Sequence, residues 1–148
     1  MQRTFSGRKL RFSIECPDSP QETTVVTDAM RLEQILINLL NNAVKFTPDG
    51  GAISVKIEAG SDDVAVSVAD TGIGIRKEDI ERIFEPFRQA DSSHARAYGG
   101  LGLGLHIVRK LAVALGCTVT AESKGSGKGS VFTVRIPKKG PVPAGRAG

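Results

Sequence analysis

The sequence has no tryptophan, one tyrosine and six phenylalanines, so aromatic residues make up only 5% of its 148 positions. Those few rings are not interleaved with basic residues, as the stacking platforms of single-strand nucleic-acid binders are. The net charge of +4 is modest, and many of the lysines and arginines lie near the termini (Arg3, Arg8, Lys9, Arg11, Lys138, Lys139, Arg146). They read as solubilising flanks, and no nucleic-acid partner is expected. Cysteine is scarce as well. Cys16 and Cys117 lie far apart, without CxxC spacing and without histidine at metal-ligand spacing. That argues against a zinc site and for two reduced thiols in strands of a cytoplasmic protein. No apolar run approaches the length of a membrane span, and the N-terminus lacks the apolar core of a signal peptide. No membrane contact is expected from this segment, so any anchor of a parent protein would lie outside it. There is no internal repeat.

What is present is a chain with 40% hydrophobic residues, enough for one domain with a proper core. Leu10 to Glu15 and Glu22 to Val26 read as short strands around the turn-rich "CPDSPQ". Thr27 and Asp28 supply a helix N-cap, and Leu32, Ile35, Leu36, Leu39 and Ala43 then recur at helical spacing to about Lys45. "TPDGG" stops that helix. Ala52 to Glu58 and Val64 to Ala69 alternate as strands around an "AGSDD" hairpin turn, and "RKEDIERIF" reads as a short helix. "RQADSSHARAYGG" is too long for an idle turn and has the character of a lid. A second long helix runs from about Leu103 to Leu115 and ends at Gly116. Strands at Thr118 to Ser123 and Ser130 to Ile136 follow, flanking a glycine-rich turn. The domain spans 1–139, and the tail at 140–148 has too little to bury to be ordered. This order predicts an α/β two-layer sandwich, one mixed and mostly antiparallel sheet with helices on one face.

Three stretches carry chemistry. On the first helix Arg31, Gln34, Asn38, Asn42 and Lys45 fall on one polar stripe at the edge of the apolar face. An asparagine carbonyl suits a magnesium ion that keeps several waters, and a lysine beyond it suits a phosphate; a plain polar helix edge is the alternative. "VADTGIGI" (68–75) sets Asp70 at a strand end before Gly72 and Gly74. A carboxylate there can accept from an exocyclic amine such as adenine N6, with glycines close to a flat ring. It can equally bond its own backbone in a turn. "AYGGLGLGLHIV" (97–108) brings Gly99, Gly100, Gly102 and Gly104 to a helix start, where free amides and the dipole favour a phosphate, unless the stretch is only a hinge. Its spacing is not that of a dinucleotide fingerprint, and "GSGKGS" (125–130) has Gly129 where a P-loop needs Ser or Thr.

In this order the motifs resemble the catalytic and ATP-binding domain of a sensor histidine kinase, in the superfamily that also holds gyrase, MutL and a heat-shock chaperone ATPase. "NLLNNAVKFT" (38–47) is similar to its N box, "DTGIGI" (70–75) to its G1 box, "FEPF" (84–87) to its F box, and "GGLGLGL" (99–105) to its G2 box. "GSGKGSVFTVRIP" (125–137) is similar to its closing hairpin, and the likeness runs to about Lys138. The resemblance implies the Bergerat fold, with ATP and Mg2+ as ligands. Asn42 would coordinate magnesium and Lys45 would meet a phosphate. Asp70 would receive the adenine amine above Gly72 and Gly74, joined by Ser130. Gly100, Leu101, Gly102, Leu103 and Gly104 would line the triphosphate, while Phe84 and Phe87 would anchor the lid, with Phe87 bordering the nucleotide, unless the two rings simply belong to the core.

Hydrolysing relatives carry glutamate where this chain has Asn38, which cannot take a proton at neutral pH. Asn38 and Lys45 are therefore the expected catalytic positions of phosphoryl transfer rather than hydrolysis, and both are also expected to bind the nucleotide. Many such kinases have arginine at the place of Gln89; here Arg88 and Arg96 are the candidates. Neither His94 nor His106 lies in a phosphoacceptor motif. The implied partners are a separate dimerisation domain that carries the acceptor histidine and, indirectly, a response regulator. The domain itself would be monomeric. A regulatory module that binds nucleotide without catalysis and an anti-sigma-type serine kinase are the alternatives.

Overall fold

The computed structural model describes residues 2–5, 8–85 and 103–139. Six strands form a single sheet in the order β1-β2-β3-β4-β6-β5. They are β1 (Gln2–Phe5), β2 (Arg8–Glu15), β3 (Ala52–Ala59), β4 (Asp63–Asp70), β5 (Thr118–Glu122) and β6 (Ser130–Pro137). All neighbours are antiparallel except β2 and β3. A parallel pair needs a crossover, and helix α1 (Ala29–Phe46) provides it between β2 and β3. Helix α2 (Leu103–Leu115) packs beside α1, so both helices cover one face of the sheet. The expected α/β two-layer sandwich is the architecture found.

Alternation decides which face is covered. Ile53, Val64, Val66, Val68, Val119, Phe132, Val134 and Ile136 point to the helices, meeting Ile35, Leu39 and Ala43 of α1 and Leu105, Val108, Ala112 and Leu115 of α2. The opposite face carries Ser54, Lys56, Ser67, Thr120, Thr133 and Arg135, where the Ser67 and Thr133 hydroxyls bond at 3.1 Å across the β4–β6 pair.

The helix ends match their sequence signals. Asp28 caps α1, its side chain accepting from the Arg31 amide at 3.2 Å. At the other end the buried Thr47 hydroxyl donates to the Ala43 carbonyl at 2.6 Å, satisfying an end-of-helix acceptor before Pro48. Helix α2 closes with Gly116 at φ 72. The Gly116 amide donates to Val113 O at 3.1 Å and the Cys117 amide to Ala112 O at 2.8 Å, the paired bonds of a Schellman cap.

Four expectations change. Glu22 to Val26 is not a strand: Pro20–Thr23 is a short 3-10 turn, and Val26 makes a single backbone bond to Lys138 beyond β6. Proline at the start of the segment sets a helical φ and removes an amide that a ladder would need. The other N-terminal strand is instead β1, so Arg3 and Arg8 belong to an edge hairpin rather than to a flank. "RKEDIERIF" forms only the 3-10 turn Lys77–Asp79 followed by further turns, fixed by Arg76 Nε at 2.8 Å from the buried Asp79 carboxylate. The two free cysteines adjoin strands rather than lie within them. No helix among the described residues is long and apolar enough to cross a membrane.

Candidate functional site

Asp70 ends β4 in the middle of the sheet, opposite Ile53 of β3 on one side and Ser130 of β6 on the other. It is 9% exposed. Its Oδ1 accepts from the Gly72 amide at 2.8 Å and its Oδ2 from the Ser130 hydroxyl at 2.8 Å. The turn bond, one of the two alternatives in the sequence, is present, and the Ser130 hydroxyl adds a second partner. A carboxylate has about four acceptor positions, and the bonds from the Gly72 amide and from the Ser130 hydroxyl and backbone amide use three of them. Burial pushes the Asp70 carboxyl above its ordinary value. The bonds from the Gly72 amide and from the Ser130 side chain and backbone oppose that rise without cancelling it. A buried carboxylate with acceptor capacity left over is suited to receive the N–H groups of a neutral amine.

The segment after Asp70 is held on three sides. The Thr71 amide donates to Ala52 O at 3.1 Å while the Thr71 hydroxyl accepts from the Ala52 amide at 2.9 Å. The Ile73 amide donates to Phe46 O, in the last turn of α1, at 3.1 Å. From the far side, Gly127 N donates to Ile73 O at 2.6 Å and Gly129 N to Gly72 O at 3.2 Å. The two signature glycines have their cause here. A Cβ on Gly72 would collide with the Phe46 carbonyl oxygen, and one on Gly74, which has φ 74, with the Gly125 carbonyl oxygen. Protein backbone fills the space a side chain would need.

The C-terminal turns of α1 thus abut the segment that follows Asp70. Asn42 is half-buried one turn before Phe46, Asn38 is half-buried a further turn back, and Lys45 is exposed. Asp70, Gly72, Gly74 and Ser130 form one cluster, with the α1 edge beside it. Leu103 and Gly104 lie in the first turn of α2, which packs along α1. Phe87, Arg88, Gln89, His94, Arg96, Gly99, Gly100, Leu101 and Gly102 lie outside the described residues, as does the tail. Phe84 is in the core: it is 4% exposed, meets Phe132 edge-on at 6.1 Å between centroids, and has the Arg109 guanidinium of α2 4.2 Å over its ring.

Sequence reasoning missed Ser123. Its hydroxyl accepts from the Ile75 amide at 3.0 Å and donates to Gly129 O at 2.6 Å. A serine at a strand end carries no local signature, and only its position just before the glycine-rich turn pointed to it.

Residues 27–140 match the family model described as histidine kinase-, DNA gyrase B- and HSP90-like ATPase. The chain belongs to this family. Within it the chain is a histidine-kinase catalytic domain. It is 47% identical over 123 residues to the autoinducer 2 sensor kinase/phosphatase LuxQ of Vibrio vulnificus, covering 80% of this chain and 14% of that protein. The chain thus spans about a seventh of the length of that relative. Among solved structures it is similar to the catalytic domain of histidine kinase ThkA, with a TM-score of 0.73 and 34% identity over 88% of this chain and 81% of that one. ThkA has also been solved in complex with the response regulator TrrA. Full-length ShkA in complex with AMPPNP is similar at a TM-score of 0.69 and 30% identity, covering 90% of this chain and 27% of that one. A histidine-kinase catalytic domain of this family implies a nucleotide substrate.

Proposed function

We propose that this domain binds ATP with Mg2+ and transfers the γ-phosphoryl group to a histidine on a separate dimerisation domain of its parent kinase. One observation carries the reading: the segment that follows the buried Asp70 carboxylate, itself oriented by Gly72 and Ser130, adjoins the helix end that carries Asn42 and Lys45. Asp70 accepts from the adenine amino group, and Ser130 fixes the carboxylate that does so. Gly72 and Gly74 let the chain turn tightly beneath that position. Asn42 offers a neutral carbonyl oxygen, a donor that fits a hard cation whose other ligands are water and phosphate oxygens. When bound, the ion neutralises charge on the transferring phosphate. Lys45 supplies a further positive charge for a phosphate. Leu103 and Gly104 contribute first-turn amides and the positive end of α2, in line with a phosphate chain led there by Gly100, Leu101 and Gly102.

Asn38 stands where a water-activating base would be needed and cannot accept the proton, which favours transfer over hydrolysis. In that transfer the acceptor imidazole nitrogen forms the new P–N bond as the bond from the γ-phosphorus to the bridging oxygen breaks, leaving ADP. Phe87 borders the nucleotide, and a response regulator takes the phosphoryl group onward from the histidine. The domain works as a monomer in the cytoplasm.

The test is to mix the chain with γ-labelled ATP, magnesium and a dimerisation hairpin carrying the acceptor histidine. Acid-labile label on the hairpin is the expected result. Label released only as inorganic phosphate, or nucleotide bound without transfer, overturns the kinase reading.

A further inference from the structure

The Ser123 hydroxyl has one donor and two acceptor positions, and all three are used. It accepts from the Ile75 amide at 3.0 Å and from the Gly125 amide at 3.2 Å, and it donates to Gly129 O at 2.6 Å. Ile75 belongs to the segment that follows Asp70 and is itself buried. Gly125 and Gly129 are the two ends of the glycine-rich turn before β6. The turn in turn presses on that segment, through Gly127 N to Ile73 O and Gly129 N to Gly72 O. Gly129 has φ 74, and a Cβ there would strike the Asp70 carbonyl oxygen. Gly72 and Ser130, the two groups that orient the Asp70 carboxylate, therefore sit on the two strips of chain that this one hydroxyl ties together.

We infer that Ser123 is a positioning residue for nucleotide binding: it holds Gly72 and Ser130 on the Asp70 carboxylate without touching the ligand. The inference rests on Asp70 being the adenine acceptor. Losing the hydroxyl removes the bonds to the Ile75 and Gly125 amides and to the Gly129 carbonyl, so both strips relax and the acceptor loses its fixed direction. The expected result is a dissociation constant for ATP about tenfold higher in Ser123→Ala, a shift equivalent to about 1.4 kcal/mol.

The measurement is titration of the full chain with a fluorescent ATP analogue, beside thermal melts. Ser123→Thr, which keeps the hydroxyl, restores affinity. Val119→Ala, a core change on β5, lowers the melting temperature yet leaves affinity unchanged, which separates positioning from stability. If Ser123→Ala does not fold, Ser123→Cys replaces it, since a thiol is a weak donor and acceptor; an affinity loss is again expected. Asp70→Asn separates the two claims. Affinity kept in Ser123→Ala but lost in Asp70→Asn overturns the role of Ser123 alone. Affinity kept in both overturns the site.

Discussion

Replacing Asp70 with asparagine should weaken nucleotide binding while making the fold more stable. The bonds to the Gly72 amide and to the Ser130 hydroxyl survive the change. The asparagine carbonyl still accepts from the Gly72 amide, and its NH2 faces the Ser130 hydroxyl, which rotates from donor to acceptor. The one remaining amide hydrogen is a donor where the carboxylate offered an acceptor, so it cannot receive the N–H of an adenine amine. A hydrogen bond to a charged group is worth roughly 1.5–3 kcal/mol. At about 1.4 kcal/mol per tenfold, affinity should fall about 10- to 100-fold. Stability moves the other way. Because burial raises the Asp70 carboxyl, the native state binds its proton more tightly than the unfolded chain does. That contribution is complete below the ordinary carboxylate range and is lost as pH rises through the raised native value. Asparagine does not titrate. The variant should therefore melt above the wild type at neutral pH, with the gap closing on acidification. The assays are nucleotide titration at neutral pH and thermal melts from about pH 3.5 to 7.5, spanning the usual carboxylate value. A variant that binds as tightly as the wild type, or one that melts lower at neutral pH, refutes the reasoning.

Asn42→Ala should reduce affinity for the nucleotide only when magnesium is present, so that wild type and variant titrate alike in excess chelator. Gly74→Ala should destabilise more than Gly50→Ala in urea melts. Both glycines have positive φ, a conformation worth about 1–2 kcal/mol against alanine, but only the Gly74 Cβ meets a carbonyl oxygen, whereas nothing lies within 4 Å at Gly50. Phe84→Ala should remove about 3–5 kcal/mol of stability, as a ring truncated in a packed core does. Arg109→Ala, whose exposed guanidinium stacks on that ring, should remove only about 0.5–1 kcal/mol in the same melts.

The helices were legible because their signals are local. The period of Ile35, Leu39 and Ala43, the Asp28 cap and the Gly116 stop each act within a turn or two of chain. So were β3 and β4, whose alternation faces one covered layer. The N-terminal hairpin was not. Gln2–Phe5 is short and mostly polar, and it is a strand only because Arg8–Glu15 pairs with it. The β-branched "TTVV" after Glu22 misled for the converse reason: propensity favours a strand, but Pro20 and the lack of a ladder partner override it. At the site, Asp70 and the glycines announced themselves, yet the reason for Gly72 and Gly74 did not. Their neighbours Phe46 and Gly125 come from other elements. Ser123 reaches Ile75 across 48 positions of sequence, a relation that no local pattern records.

The last of the described strands is an inner one. β6 fills the gap between β4 and β5, and Ser130 at its head is 60 positions from the aspartate it meets. During synthesis, everything up to the glycine-rich turn can emerge while the middle of the sheet stays open, and closing it requires long-range pairing, which is slow. Competence to hold a ligand is thus withheld until β6 slots home. A nascent chain that still lacks β6 would display the signature motifs and yet have no working pocket.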